Sequence, residues 1–227
     1  MRSRLIIAID GPAGAGKSTV ARRLAARLGY RFLDTGALYR AVTVAVLRAG
    51  LDPSDEAGVS AVAEAADVRL GAGPGGQAVL LDGADVTEES RGPAASTAVS
   101  TVAAMPRVRA AMIPLQREFA RGGGVVAEGR DIGTVVFPDA DLKVFLDADP
   151  AERAIRRARE RGEGDVESVR REIAERDAKD VTRAVSPLAA APDALRIDST
   201  GRAIEEIVDL LAERVGNAER NAAARDV

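Results

Sequence analysis

Leu5-Ile6-Ile7-Ala8-Ile9-Asp10 runs into Gly11-Pro12-Ala13-Gly14-Ala15-Gly16-Lys17-Ser18-Thr19, and these fifteen residues decide the fold. The apolar run predicts a buried strand and the glycines a tight turn. Ala21, Leu24, Ala25 and Leu28 then predict a helix that stops at Gly29. Every fixed position of G-x-x-x-x-G-K-[ST] is filled. In such a unit, glycines let successive backbone N–H groups converge on phosphate oxygens, and the helix N-terminus faces the same anion. Lys17 offers a full positive charge to the terminal phosphates, and Ser18 a hydroxyl to magnesium. Gly11, Pro12, Ala13, Gly14, Ala15, Gly16, Lys17, Ser18 and Thr19 are therefore candidate ligands of a nucleotide's phosphates. A flexible Gly/Ala linker is the plainer reading of this stretch. Against it, Lys17, Lys143 and Lys179 are the only lysines among 32 basic residues, so a chance cation here would have been arginine.

Further strand-like runs occur at Arg31–Leu33, Val125–Ala127, Leu142–Asp147 and Leu195–Asp198. Helical patterns occupy Ala37–Ala49, Pro106–Arg121, Pro150–Arg161, Val166–Ala184 and Ala203–Val215. Alternation of this kind predicts an α/β fold with a parallel sheet flanked by helices. Residues 62–102 break the rhythm: Val68–Leu70, the turn Gly71–Gly76 and Gln77–Leu81 read as a small antiparallel insertion. The expected organisation is a core of residues 1–61 and 103–216, the insertion at 62–102, and a lid over 153–168. The polar, alanine-rich tail 217–227 is expected to be frayed or disordered.

With no cysteine and no histidine, the chain has no disulfides, no Cys/His zinc site, no thiol nucleophile and no imidazole base. A net charge of −3 argues against a uniformly basic nucleic-acid surface. The first residues enter a strand without the pattern of a signal peptide, and no apolar run approaches the length of a membrane span. A cytoplasmic monomer without nucleic-acid or membrane partners is expected.

Four other clusters carry chemistry. Thr35 and Gly36 open a helix, and Arg40 falls one turn further on the same side, which suits an anion. Glu128-Gly129-Arg130-Asp131-Ile132-Gly133 follows a predicted strand, where ligands of open α/β sheets bind. There Arg130 can fork onto a phosphate, Asp131 can accept from an amino group, and Glu128 can orient magnesium-bound water. Arg176, Asp180 and Arg183 share i, i+4, i+7 spacing on one helix. The run Arg153, Arg156, Arg157, Arg159 and Arg161, closing in Gly162-Glu163-Gly164, reads as a mobile basic flap between glycine hinges. An ordinary helix cap, a charged turn and solvated arginine helices are the competing readings.

Phosphoryl transfer asks for charge neutralisation and in-line positioning. A phosphate monoester has a second pKa of about 6, so as an acceptor it needs no general base. Many arginines and no histidine therefore suit a nucleoside monophosphate kinase. A regulatory GTPase would need an Asn-Lys-x-Asp guanine reader, yet the only asparagines are Asn217 and Asn221. Another small-molecule P-loop kinase, acting on UMP, AMP or a hydroxyl, stays open as the alternative.

Four segments together resemble the bacterial cytidylate kinase family: Ile9–Thr19, Leu33–Arg40, Glu128–Pro138 and Arg176–Leu188, in a likeness spanning roughly residues 4 to 215. The resemblance implies the nucleoside monophosphate kinase fold and transfer of the γ-phosphate of ATP to CMP or dCMP, with magnesium. It implies that Thr35, Arg40, Arg130 and Arg176 contact the acceptor's phosphate and ribose, that Asp180 takes the sugar hydroxyls, and that Arg183 sits by the transferring phosphate. Ser100, Arg109 and Asp131 would read the cytosine edge. Lys17, Arg130, Arg176 and Arg183 would be catalytic, Arg157 in the lid would meet ATP, and Ser18 and Glu128 would serve the metal. Thr35 stands where many relatives carry Ser, and Glu128 where others carry Asp.

Overall fold

The computed structural model describes residues 4–73, 76–162 and 164–225. In chain order the elements begin β1 (Ile6–Asp10), α1 (Lys17–Leu28), β2 (Arg31–Asp34), α2 (Thr35–Arg48), α3 (Glu56–Ala65), β3 (Val68–Gly73), β4 (Gly76–Leu81) and β5 (Ala84–Asp85). They continue with α4 (Thr87–Arg91), α5 (Pro93–Ala104), α6 (Pro106–Phe119), β6 (Val125–Gly129), a π-helical turn (Ile132–Val136), β7 (Leu142–Asp147), α7 (Pro150–Arg161), α8 (Val166–Thr182), β8 (Leu195–Asp198) and α9 (Ile204–Arg225). The chain divides into two compact units. One comprises residues up to Phe32, Ala120–Thr182 and the chain from Pro187; the other comprises Leu33–Phe119 and Arg183–Ser186.

In the first unit the sheet runs β2-β6-β1-β7-β8, and β1 pairs parallel with β6 and β7, as β7 does with β8. Every residue of β1 and β6 is buried, as expected of central strands covered on both faces. α1 and α9 cover this sheet through Val20, Leu24, Ile207, Val208 and Leu211 packed on Ile7, Ile9 and Leu146. α1 begins after Gly16 at φ 88° and ends at Gly29 at φ 62°, where Tyr30 N–H reaches the Ala25 carbonyl at 2.8 Å. The register sets Ile9 beside Glu128 and Asp10 beside Gly129, so the first glycine turn and the Glu128–Gly133 segment leave the same edge of the sheet.

The frayed or disordered tail expected from residue 217 is not found: α9 continues to Arg225. Its Ala, Glu and Arg residues are strong helix formers, and one glycine, Gly216, costs about 1 kcal/mol, too little to stop a helix packed on α1. Glu219 is anchored as well, accepting from the Tyr30 hydroxyl, which itself accepts from Leu5 N–H at 3.1 Å.

The second unit holds the antiparallel sheet β3-β4-β5, in register from Val68↔Leu81 to Gly73↔Gly76. The tip of the expected turn, Pro74-Gly75, lies outside the described residues. Val42, Val46, Val59, Val79, Val102, Val108 and Met112 build its core, drawn from α2, α3, β4, α5 and α6. Residues 62–102 contribute the sheet, α4 and α5, and the unit around them extends from Leu33 to Phe119. Three of its helices, α3, α4 and α5, were not anticipated.

Candidate active site

Lys17 is buried at the first position of α1, and its Nζ donates to the Pro12 carbonyl at 2.7 Å. Burial pushes its ammonium pKa down to about 7. Arg130 and Arg176 press the same way, and Glu128 and Asp10 only partly oppose them. Three cations thus gather at one phosphate loop, and burial together with the two guanidinium groups disfavours the Lys17 charge, an arrangement that a bound anion would relieve.

The loop is built by close approach. A Cβ on Gly11, at φ 150°, would sit 1.9 Å from the Leu146 carbonyl oxygen of β7. On Gly14 it would meet the Arg153 carbonyl oxygen at 2.9 Å. Some of the glycine spelling therefore serves packing against β7 and α7 as well as anion access.

Opposite β1, the segment after β6 is pinned by Asp10, whose two carboxylate oxygens accept from Ile132 N–H and Gly133 N–H at 2.7 Å each. Burial raises the Asp10 pKa to about 6, the two amides and Lys17 pull it back, and neighbouring Asp131 adds to the rise. Arg130 Nε donates to Asp180 Oδ2 at 2.8 Å, joining β6's end to α8 across fifty residues of chain. Burial works against the Arg130 charge, yet Asp180, Glu128 and Asp177 more than offset it, so its pKa lies above the ordinary value. Arg176 belongs to the same group through its field on Lys17.

Ser18 Oγ donates to Glu128 Oε1 at 2.6 Å. Among the described residues no group of three or more acidic, histidine or cysteine side chains could hold a metal on its own. A hydroxyl beside one carboxylate fits magnesium, which commonly keeps several waters and completes its shell with substrate phosphates.

The second unit carries the other candidates. Asp34 caps α2 by accepting from Ala37 N–H at 3.1 Å and pairs with Arg40 Nη2 at 2.7 Å. Burial would raise the Asp34 pKa, but Arg40, the Ala37 amide and Arg91 together hold it below the ordinary value. A Cβ on Gly36 would fall 2.9 Å from Arg40 Nη1, so the guanidinium lies back over the first turn of α2, beside buried Thr35. α2 thus starts two residues before the expected helical pattern of Ala37–Ala49, with Asp34 as its cap. Arg109 is buried; its guanidinium lies 5.3 Å from the Tyr39 ring centre, and its Nε donates to Ser186 Oγ at 3.1 Å. Arg183 Nε donates to the Ser186 carbonyl, so both arginines converge on one serine held at φ 54°. Ser100 lies half-buried on α5.

Lys17, Ser18, Glu128, Arg130, Arg176 and Asp180 are therefore one group in the first unit, with Asp131 adjoining through Asp10. Thr35 with Arg40, and Arg109 with Arg183, form local groups in the second. Arg157 stands apart, paired with Glu160 at 3.1 Å on α7. Arg153, expected in the mobile flap, is instead buried and bonded to the loop carbonyl of Ala13, because α7 packs against the loop. Of the two glycine hinges, Gly162 ends α7 at φ 67° and Gly164 lies two residues before α8; Glu163 between them lies outside the described residues. Asp10, Asp34, Tyr39 and Ser186 were not read as site residues. Asp10 and Asp34 had one available signal, a carboxylate at the carboxyl end of a strand.

A glycine-rich loop between β1 and α1 of a parallel sheet, with its lysine among arginines, defines a P-loop nucleotide-phosphate-binding protein. The profile of the cytidylate kinase family matches residues 7–217. A cytidylate kinase of Pelotomaculum thermopropionicum is 51% identical over 219 residues, covering 94% of this chain and 97% of that protein. One from Geobacillus kaustophilus is 49% identical, covering 95% and 98%. The chain belongs to the cytidylate kinase family. A crystal structure of an uncharacterized protein from Eubacterium ventriosum superposes with TM-score 0.54 at 12% identity, covering 94% of this chain and 99% of that one, and shares the fold.

Proposed function

We propose that this protein transfers the γ-phosphoryl group of MgATP to CMP or dCMP, releasing ADP and CDP or dCDP. The observation that carries the reading is the gathering of Lys17, Arg130 and Arg176 at a phosphate loop in a chain of this family. The phosphate loop, residues 11–19, holds the donor's phosphates through Lys17 and its backbone amides other than those of Pro12 and Ala13, and Arg157 assists from α7. Ser18 and Glu128 would hold a magnesium ion, which would supply charge neutralisation to the donor's phosphates. Thr35, Arg40, Arg130 and Arg176 take the acceptor's phosphate, Asp180 its sugar hydroxyls, and Arg183 the group in transit. Asp180 has a second duty: in the free protein it holds the Arg130 guanidinium in place. The acceptor phosphate is dianionic near neutral pH, so attack on the γ-phosphorus needs no proton removed, in keeping with a chain without histidine.

Ser100, Arg109 and Asp131 read the base. The Asp131 carboxylate accepts from the amino group of cytosine and opposes the carbonyl that uracil presents there, a mismatch of about 1–3 kcal/mol. The test is steady-state transfer from ATP to CMP, dCMP, UMP, AMP and GMP, with and without a chelator. CMP and dCMP should lead, and chelation should remove activity. Asp131→Ala should shrink the CMP-over-UMP ratio of kcat/KM by about tenfold or more, with KM for ATP little changed. Equal use of AMP and CMP by the wild type, or an unmoved ratio in the variant, would overturn the base assignment. No helix among the described residues is long and apolar enough to cross a membrane.

A further inference from the structure

We propose that Arg153 and Asp177 are positioning residues that tie the tip of the phosphate loop to the helix carrying Arg176 and Asp180. The inference rests on the functional reading above for what the tie is for, and on geometry for its existence. Ala13, the third residue of the loop, has both backbone groups engaged. Its N–H donates to Asp177 Oδ1 at 3.3 Å, and its carbonyl accepts from Arg153 Nη1 at 3.1 Å. Arg153 Nη1 also pairs with Asp177, and its Nε donates to the Ala148 carbonyl at 3.1 Å, just before α7. The guanidinium therefore touches three separate segments: the loop, the entry to α7, and α8.

This is not a surface ion pair of the kind that contributes little. The Arg153 side chain is 9% exposed and that of Asp177 17%. The Ala13 methyl packs on Ala154, Ala158, Val169 and Ile173 of α7 and α8, and Gly14 lies too close to the Arg153 backbone to carry a side chain. Buried pairs of this sort cost desolvation and are kept where they set a register. Here the register is between the loop and α8, for Asp177 follows Arg176 directly and precedes Asp180 by three residues. A loop that slid relative to α8 would still bind ATP and CMP, but would present the γ-phosphorus out of line with the groups that stabilise its transfer. Misplacement of about 1 Å can lower a rate by 10²-fold.

The test compares Asp177→Leu, Asp177→Asn, Arg153→Met and the Arg153→Met/Asp177→Leu double variant with the wild type. Asp177→Leu and Arg153→Met should each lower kcat by about 30-fold, with KM for ATP and for CMP within about threefold. Asn keeps an acceptor for the Ala13 amide, so Asp177→Asn should recover most of the loss. The double variant should be no worse than the poorer single one. Hydrogen exchange in the segment 8–20 should rise at least about tenfold in Asp177→Leu and in Arg153→Met, a readout that needs no acceptor. Unchanged kcat in folded variants, a loss confined to KM for ATP, additive losses in the double variant, or unchanged exchange would each overturn the proposal. If Asp177→Leu fails to fold, Asp177→Asn and the exchange of Arg153→Met decide by the same criteria. A wild type inactive toward CMP would sink the functional reading, and the exchange measurement would still decide the tie.

Discussion

Lys17→Met should lose phosphoryl transfer while melting no lower than the wild type. The loss follows from chemistry: a preorganised cation on the transferring phosphates is worth about 10²–10³ in kcat, and no second lysine can replace it. The nearest others in the chain are Lys143, paired with Asp193, and Lys179 on α8. The stability follows from the free protein, where a buried ammonium sits among Arg130 and Arg176 with its pKa pushed down to about 7. The folded state holds fewer protons on Lys17 than the unfolded chain between pH 7 and the ordinary lysine range, so wild-type stability climbs across that window. Below pH 7 the whole penalty is present. An apolar side chain of similar length removes it, leaving only the Pro12 carbonyl without this donor. Melting at pH 6.5 should therefore show the variant higher by a few degrees, at about 2–4 °C per kcal/mol, with the gap narrowing by pH 9. A variant retaining more than a tenth of wild-type kcat, or melting well below wild type at pH 6.5, would contradict this account of the residue.

Gly11→Ala should be the most destabilising single methyl in the phosphate loop. The backbone there is at φ 150°, and the added carbon would overlap the Leu146 carbonyl oxygen at 1.9 Å. That oxygen belongs to β7, which is hydrogen-bonded to β1 from Ile7↔Leu142 to Asp10↔Phe145, so neither strand can retreat without breaking the ladder. A positive φ combined with an overlap onto backbone predicts about 3–5 kcal/mol, or roughly 10 °C in Tm for a chain of this size. Gly123→Ala is the informative comparison. Its Cβ would lie 2.0 Å from the Arg4 carbonyl oxygen at φ 77°, an equal clash in the turn before β6. Both variants should lose similar stability, but only Gly11→Ala should also lose kcat when assayed cold, with the protein folded. A Gly11→Ala protein melting within about 3 °C of wild type would show that β1 and β7 accommodate the methyl.

Much of the first unit was legible because its strands are short apolar runs and its helices carry plain signals. Gly29 stops α1, and Asp149-Pro150 starts α7, with Asp149 accepting from Ala151 N–H at 2.8 Å. The second unit was harder. α3 and α5 are spelled in Ala, Val, Gly, Ser and Thr, so their buried and exposed faces differ little in hydrophobicity and the helical period is faint. The tail misled in the opposite sense: polar alanine-rich sequence was read as frayed or disordered, although the same residues extend a helix once α1 and Tyr30 anchor it. For the site, motif spacing singled out candidate arginines but not what holds them. Arg130 meets Asp180 fifty residues away, and Arg109 meets Ser186 seventy-seven residues away. Such pairings depend on where separate elements come to lie, which local pattern does not encode. Asp10 illustrates this: as the last residue of a strand it carries no motif, yet it fastens the Ile132–Gly133 amides beside the loop.

The central claim is that polyphosphate restores the Lys17 ammonium, which burial and the neighbouring Arg130 and Arg176 disfavour in the free protein, and calorimetry of nucleotide binding tests it directly. Titrating MgADP into the wild-type protein in buffers of different ionisation enthalpy reports the protons taken up on binding. If polyphosphate restores the Lys17 ammonium from a pKa of about 7, uptake should approach one proton near pH 8 and vanish below about pH 6. Binding without proton uptake at pH 8, or with an uptake that does not change with pH, would contradict the account.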